Sequence, residues 1–279
     1  IQTAIASAER TFELLDTPED IVDSHSSKSL KKVRGEVEFR NVWFSYKKDE
    51  EVLKDISFSL LEGESLAVVG ATGAGKSSLI NALCRFYEIS RGNILLDGVP
   101  TNQINKHDLR RQIALVQQDV FIFSGSILDN IRLGNPHLKE DKAITIAKSV
   151  NLHRFVDCLP DKYEQNVREK GSLLSLGQKQ LLSFARALAV DPRILVLDEA
   201  TSSIDTETEL QVQSGIKELI RGRTSIIIAH RLSTLKNVDK ILVLKEGRMA
   251  EYGTQKELLL KRGIYWKLYN LQAVNDVKL

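Results

Sequence analysis

Residues 66–77 have the sequence LAVVGATGAGKS and carry the strongest structural signal in the chain. The apolar run 66–69 is typical of a buried strand in a parallel sheet. Residues 70–77 fit the pattern GxxxxGK(S/T). Glycines in such a turn let successive backbone N–H groups converge on phosphate oxygens, and a helix that begins at Lys76 adds the positive end of its dipole. The stretch therefore predicts a strand, a phosphate-binding loop and a helix that ends near Phe86.

The polar residues of this loop have distinct expected roles. Lys76 would reach phosphate oxygens as a mobile positive charge, and Ser77 would offer a hydroxyl to Mg²⁺. The alternative is a chance glycine-rich turn, but the strand before the loop and the helix after it argue against that interpretation. The residues predicted to bind the phosphates are Gly70, Thr72, Gly73, Ala74, Gly75, Lys76, Ser77 and Ser78.

A second apolar stretch ends in two acids. Residues 193–199 have the sequence RILVLDE, which predicts a strand followed by Asp198 and Glu199. Asp198 would orient Mg²⁺ or its waters, and Glu199 would accept the proton of an attacking water. The alternative is a strand that simply ends in solvent-facing acids, and the presence of a phosphate loop in the same chain makes it the weaker interpretation.

The remaining patterns predict an α/β fold. Alternating residues at 36–42 and 55–60 indicate half-buried antiparallel strands. Periodic segments at 140–150 and 176–190 make the region 126–190 mostly helical. Further strands are expected at 194–197, 224–228 and 241–244, with a helix at 206–221. We therefore predict a P-loop ATPase core with a mostly parallel sheet, an N-terminal antiparallel β subdomain and an inserted helical subdomain.

Composition excludes several classes of protein. The 279 residues include 39 Lys+Arg and 37 Asp+Glu, a net charge of +2, which argues against a nucleic-acid partner. No apolar run approaches the about 18 residues of a membrane helix. Cys84 and Cys158 have no neighbours at metal-ligand spacing, and two cysteines make no disulfide framework.

The N-terminal residues differ from the rest of the chain. Residues 1–15 place apolar side chains at helical intervals, and residues 16–34 are rich in Ser and Lys. Contact of this basic segment with anionic lipid is one interpretation, and a solvated linker is the favoured one. The chain lacks an initiator Met and a signal peptide, so we expect a piece of a longer protein.

Residues 174–178, LSLGQ, resemble the LSGGQ signature of ATP-binding-cassette (ABC) transporters. The resemblance is to the nucleotide-binding domain of the exporter type, and it covers essentially the whole chain from Gly35 onward. The other motifs follow in the family's order. They are the aromatic-loop residues 44–46 (FSY), the Q-loop pair Gln118-Asp119, the D-loop residues 202–205 (SSID) and the H-loop residues 229–231 (AHR).

The resemblance implies roles for further residues. Tyr46 would stack on adenine, although a core tyrosine at a strand end is the alternative. Gln118 would touch Mg²⁺ or the attacking water, and His230 would hydrogen-bond the γ-phosphate of ATP. The signature and D-loop residues would instead reach the ATP of a second domain. These residues are Ser175, Gly177, Gln178 and Asp205.

The family also implies a domain organisation. We expect a linker over 1–34 that follows a transmembrane domain, and a nucleotide-binding domain over 35–279. Within it, 35–123 and 191–279 would form the ATPase core, and 124–190 the helical subdomain. The expected partners are a second nucleotide-binding domain, paired head-to-tail, and the transmembrane domain of the same polypeptide. The chain would lie at the cytoplasmic face of a membrane.

Two stretches depart from the family pattern. Leu176 occupies a signature position where the family has glycine, and residues 165–171, QNVREKG, differ from the usual TEVGERG. Glu199 and His230 are nevertheless present. We therefore expect a heterodimeric exporter whose partner chain supplies an intact signature. A homodimer that tolerates Leu176 is the alternative.

Other classes fit less well. An importer-type cassette or a soluble ABC ATPase remains the main alternative to an exporter. A chromosome-maintenance or DNA-repair ATPase would carry coiled-coil heptads or a basic surface. A regulatory module that binds ATP without hydrolysis would lack Glu199 or His230. A translation factor would need a second phosphate loop.

Overall fold

A computed structural model describes the greater part of the chain, namely residues 2–17, 21, 23, 29–30, 33–47, 50–198, 206–229 and 238–276. The strands are β1 (Val37–Ser45), β2 (Glu51–Leu60), β3 (Ser65–Val69), β4 (Arg91–Leu96), β5 (Val99–Pro100), β6 (Ile113–Val116), β7 (Ile194–Asp198), β8 (Thr224–Ile228), β9 (Lys240–Lys245) and β10 (Arg248–Gly253). The α-helices are α1 (Gln2–Leu15), α2 (Lys76–Leu83), α3 (Lys106–Arg111), α4 (Ile127–Arg132), α5 (Glu140–Ser149), α6 (His153–Val156), α7 (Leu176–Ala189), α8 (Thr206–Ile220), α9 (Gln255–Lys261) and α10 (Ile264–Asp276).

The strands form two sheets. A sheet in the order β10-β9-β3-β8-β7-β6 is parallel except for the edge strand β10. A smaller sheet in the order β2-β1-β4-β5 is wholly antiparallel. Every residue of β3 and β8 is buried, as expected for parallel strands covered on both faces. The predicted α/β fold class is thereby confirmed.

Successive residues of the large sheet face different hydrophobic cores because side chains alternate across a strand. Val196 of β7 packs into the core shared with α2 and the antiparallel sheet. Its neighbours Leu195 and Leu197 pack against the helices α4, α5, α7 and α8. Ala67 and Val69 of β3 face a third cluster together with Leu258 and Tyr265 of α9 and α10. The sheet is therefore fixed from both sides.

Some predicted boundaries shift. The predicted helix at Lys76 ends at Leu83 instead of near Phe86, because Arg85 adopts a left-handed φ of 49°. β1 and β2 are longer than predicted, since left-handed residues at Asn41 and Asp55 interrupt the alternation. The predicted segments 140–150 and 176–190 match α5 and α7 closely. The domain boundaries stay predictions.

Asp23, which precedes β1, is hydrogen-bonded to residues of the core. Its carboxylate accepts from the backbone N–H of Lys106 at 3.0 and 3.1 Å, from Asn105 Nδ2 at 2.9 Å and from Arg85 Nη1 at 3.3 Å. Arg85 is buried and also donates to the main-chain oxygen of Ile104 at 3.0 Å. Arg85 is thus buried with acceptors on both a carboxylate and the main chain, the kind of partners that a buried charge requires.

The helix α1 forms as its apolar stripe predicts, and its described apolar side chains Ile5, Phe12 and Leu15 are all exposed. Among the described residues, no helix is both long and apolar enough to cross a membrane.

Candidate nucleotide-binding site

The loop between β3 and α2 has a conformation that requires glycine. Gly73 and Gly75 adopt left-handed φ values of 79° and 103°. A Cβ at Gly75 would approach Leu53 Cδ2 to 2.8 Å, and one at Gly70 would collide with the main-chain oxygen of Leu244. Nothing lies within 4 Å of the position a Cβ would take at Gly73. The loop is therefore packed against neighbouring strands at Gly70 and Gly75 and open at Gly73. This shape admits phosphate groups close to the backbone.

The ammonium of Lys76 lies beneath this loop. Its Nζ donates to the main-chain oxygens of Gly70 at 2.8 Å and Ala71 at 3.0 Å, and the side chain is nearly buried. Burial lowers the pKa of Lys76, and the negative charge of Asp198 opposes that change. A positive charge is thus concentrated where the loop opens.

The carboxyl ends of the parallel strands bring the predicted acidic and amide residues to one edge of the sheet. Asp198 is the last residue of β7 and pairs with Ile228 of β8. Gln118 is exposed at the bend that follows β6, the neighbour of β7. Ligands of open α/β sheets bind at this edge. The structure therefore places Lys76, Asp198 and Gln118 at the same end of the sheet.

Three predicted residues lie outside the described part of the chain. Glu199 follows Asp198 directly, His230 follows the described Ala229, and Asp205 precedes α8. Their positions in the sequence put the first two immediately after the carboxyl ends of β7 and β8.

Tyr46 follows β1 and contacts the helix that begins at the loop. Its hydroxyl donates to Ser78 Oγ at 3.2 Å and accepts from Asn81 Nδ2 at 2.8 Å. Its ring meets Phe44 edge-on at 4.8 Å and Tyr87 at 5.0 Å, yet 45% of the residue is exposed. An aromatic surface is therefore available beside the loop, and Tyr46 is not a core tyrosine.

Sequence reasoning missed Asn81 and Tyr87. Asn81 lies one turn after Ser78 on α2, a spacing that puts both on one helix face and could have identified it. Tyr87 follows α2 in an irregular stretch, where no periodicity marks it.

The signature residues cap α7. Ser175 Oγ accepts from the backbone N–H of Gln178 at 3.3 Å, and Gln178 Oε1 accepts from the backbone N–H of Ser175 at 2.9 Å. The two bonds form a capping box at the first turn of α7. Gly177 is buried, whereas the Leu176 side chain is 42% exposed on the first turn. The positive end of the α7 dipole thus lies next to an exposed apolar side chain.

The predicted metal-binding residues suit a metal ion that also keeps phosphate oxygens and water molecules as ligands. The predicted set of Ser77, Gln118 and Asp198 contains one carboxylate and two neutral oxygen donors. Among the described residues, no group of three or more His, Cys, Asp or Glu side chains could hold a metal ion. Mg²⁺ is bound in this way at phosphate sites, through one or two carboxylates together with substrate oxygens.

A large apolar cavity adjoins the Gln118 segment. It measures about 570 Å³ and lies between β6 and α7. Exposed Phe121, Phe123 and Leu133 line it together with Arg186 and Val190. Exposed aromatic clusters of this kind mark contact surfaces.

The chain matches a family model described as ABC transporter over residues 53–202. It is 45% identical over 268 residues to "Uncharacterized ABC transporter ATP-binding protein YknV" of Bacillus subtilis, covering 96% of this chain and 44% of that protein. It is 44% identical over 278 residues to "ATP-dependent lipid A-core flippase" of Legionella pneumophila, covering 99% and 47%. The chain thus spans under half the length of these relatives.

A solved structure is also similar. It is described as "Structure of a bacterial Atm1-family ABC exporter with ATP bound", with a TM-score of 0.89 and 37% identity over 98% of this chain and 48% of that one. The chain belongs to the ABC transporter family. Its resemblance to the nucleotide-binding domain of an exporter is confirmed, and with it the prediction of an ATPase.

Proposed function

We propose that this chain binds and hydrolyses ATP as the motor domain of an exporter. The observation that carries the proposal is the convergence of the glycine loop, Lys76 and Asp198 at the carboxyl edge of the parallel sheet. Relatives described as "ATP-dependent lipid A-core flippase" and "Fatty acid ABC transporter ATP-binding/permease protein" support the link to transport. The transported substrate belongs to the whole protein and is not assigned.

ATP binding would use the loop and Tyr46. The backbone N–H groups of Gly70, Thr72, Gly73, Ala74 and Gly75 would surround the phosphates, with Lys76, Ser77 and Ser78 completing the site. The exposed ring of Tyr46 would stack on adenine. Bound Mg²⁺ would supply charge neutralisation at the phosphates, and Ser77, Gln118 and Asp198 would hold it.

Hydrolysis would depend on residues at the ends of β6, β7 and β8. Glu199 would accept a proton from the attacking water, because its carboxylate follows Asp198 directly. His230 would hydrogen-bond the terminal phosphate and keep that water in place. Gln118, exposed at its bend, would orient the water from the opposite side.

The signature would act on a second domain. Ser175, Gly177 and Gln178 at the start of α7 and Asp205 before α8 would face the ATP of the partner and close over it. Leu176 would place an apolar side chain against that ATP. We infer a homologous partner chain with an intact glycine signature, and a homodimer is the second candidate.

Attachment to a membrane domain accounts for two exposed surfaces. The apolar stripe of α1, including Phe12 and Leu15, has no cover among the described residues, and the cavity beside Phe121 presents a second apolar surface. Both suit contact with the membrane domain of a longer protein at the cytoplasmic face. Nothing in the charge balance favours a nucleic-acid partner.

Three variants test this proposal. Lys76→Ala removes the loop charge and should abolish ATP binding in titration calorimetry. Glu199→Gln should keep ATP affinity and lose most turnover, because the proton acceptor is lost while the shape remains. Lys256→Ala, at an exposed position of α9, is the matched control. Normal ATP affinity in Lys76→Ala, or normal turnover in Glu199→Gln, would refute the assignment.

A further inference from the structure

The side chain of Gln180 on α7 carries a buried oxygen that has no partner. The residue is 6% exposed. Within the residues that the structure describes, the buried side-chain N or O atoms without a hydrogen-bond partner are Gln180 Oε1 and Asn270 Nδ2. Asn270 is half-buried on α10, whereas Gln180 lies in the interior. Because buried polar groups are nearly always hydrogen-bonded, the oxygen of Gln180 requires a donor.

This residue borders a small cavity between the large sheet and the helices α7 and α8. The cavity measures about 20 Å³. Most of its wall is apolar and at most 6% exposed, and it is formed by Val116, Phe184, Leu197, Val212 and Ile216. The other lining residues are Gln117 and Asp198. A cavity of about 10–15 Å³ is enough for one water molecule, which needs two to four polar partners to stay bound.

The residues that line this cavity offer no donor to Gln180 Oε1. The apolar side chains have none, and an ionised carboxylate at Asp198 only accepts. Gln117 is exposed directly after β6, and its amide does not donate to Gln180 Oε1. A water molecule is a donor of the right size, and its second O–H group is then available for the carboxylate.

We propose that the cavity holds one buried water molecule, which donates to Gln180 Oε1 and to a carboxylate oxygen of Asp198. Two acceptors that border one cavity cannot hydrogen-bond to each other, and a water molecule with two O–H groups satisfies both. The site takes water and no larger ligand, because its volume is that of about one water molecule.

The water makes Gln180 a positioning residue for Asp198. This part of the inference rests on the proposed function, in which Asp198 holds Mg²⁺ together with Ser77 and Gln118. Groups that hydrogen-bond to a metal ligand orient it, and their loss typically weakens metal binding about 10- to 100-fold. The water orients the Asp198 carboxylate from within the core, and Gln180 acts on Mg²⁺ only through it.

The test compares Gln180→Met with Ile216→Val. Gln180→Met keeps the length of the side chain and removes the acceptor, so the water loses one of its two partners. Ile216→Val is the matched control, because it removes one carbon from the wall of the same cavity and leaves both acceptors. The first measurements are the electron density in high-resolution crystals and nuclear Overhauser effects from water to the methyl groups of Leu197 and Val212.

We expect a water within hydrogen-bond distance of Gln180 Oε1 and Asp198 in wild type and in Ile216→Val, and none in Gln180→Met. Titration calorimetry with the non-hydrolysable analogue AMP-PNP then gives the Kd with Mg²⁺ and in a chelator. In Gln180→Met the Kd with Mg²⁺ should rise about tenfold, while the Kd in chelator stays within about twofold of wild type. Ile216→Val should keep both Kd values even where it lowers the unfolding temperature equally.

A wild-type crystal without this water, or one in which Gln180 Nε2 donates directly to Asp198, would overturn the inference and leave the proposed function intact. Unchanged Kd values in Gln180→Met would do the same. So would an equal rise of both, because it would indicate a general defect of the fold. A wild-type chain with no affinity for AMP-PNP would overturn the proposed function together with the positioning role of Gln180.

Discussion

Lys76 Nζ donates to the main-chain oxygen of Gly70 at 2.8 Å, so the loop and its lysine are joined by a hydrogen bond that closes the loop on itself. The second bond, to Ala71, fixes the ammonium between two carbonyl dipoles. The positive charge is thereby prearranged under the loop opening, and little side-chain ordering is left for the moment of binding.

Lys76→Arg should weaken ATP binding although the charge is kept. The lysine is 8% exposed, and a planar guanidinium is bulkier than the ammonium that donates to Gly70 and Ala71. We expect ATP affinity to fall by about 10- to 100-fold, equivalent to about 1.4–2.8 kcal/mol. Titration calorimetry measures it, with Lys256→Arg as control. Affinity equal to that of the control would contradict the packing argument.

Gly75→Ala should destabilise the fold more than Gly63→Ala does. Both glycines have left-handed φ values, 103° and 78°, but only Gly75 would press a Cβ against Leu53, while Gly63 has nothing within 4 Å. We expect about 1 kcal/mol of strain at Gly63 and about 1–3 kcal/mol more at Gly75. Urea unfolding gives both free energies of unfolding. Equal values would show that Leu53 moves aside without cost.

Tyr46 offers a matched pair of substitutions. Tyr46→Phe loses the hydrogen bonds to Ser78 and Asn81 and keeps the ring, so ATP affinity should stay within about threefold while the free energy of unfolding falls by about 1–2 kcal/mol. Tyr46→Ala also loses the ring and should cost a further about 1–3 kcal/mol in ATP binding. If the two variants bind ATP equally well, Tyr46 does not stack on the base.

Cys84 should make the fold sensitive to alkali. Burial raises the pKa of its thiol from 9.0 to about 12. The folded state thus retains the proton longer than the unfolded chain, so this contribution is complete below pH about 9 and is lost as pH rises toward about 12, by about 1.4 kcal/mol per pH unit at most. Urea unfolding at pH 8 to 10.5 should show a smaller alkaline loss in Cys84→Ala. Parallel pH profiles of the two proteins would contradict this.

Leu176→Gly tests the partner question. If the chain pairs with a homologue, its own homodimer carries the altered signature twice, and restoring glycine should raise ATP turnover of the isolated chain about tenfold. Leu173→Gly is the control, because Leu173 is exposed to a similar extent three residues earlier. Full turnover in the unaltered chain with no gain in Leu176→Gly would support the homodimer instead.

The sequence predicted the elements whose pattern is local. The loop before Lys76, the strand that ends at Asp198 and the helical segment 176–190 each follow from residues close together in the sequence. The sequence did not predict β4, β10 or the helices α3, α9 and α10, because their burial depends on neighbours distant in the chain. In β4, for example, only the last three of the six residues are buried, so no alternation marks it. The hydrogen bond from Arg186 to the main-chain oxygen of Phe121 was not predicted for the same reason, since it joins residues 65 positions apart.

The contact between Asp23 and Arg85 has a consequence for α2. Through Arg85, Asp23 is attached to the residues just after the carboxyl end of α2, whose amino end is Lys76. The carboxylate of Asp23 thus lies at the opposite end of α2 from Lys76. Loss of the Asp23 carboxylate would therefore leave the buried Arg85 without one of its acceptors, at the end of α2 opposite the loop before Lys76.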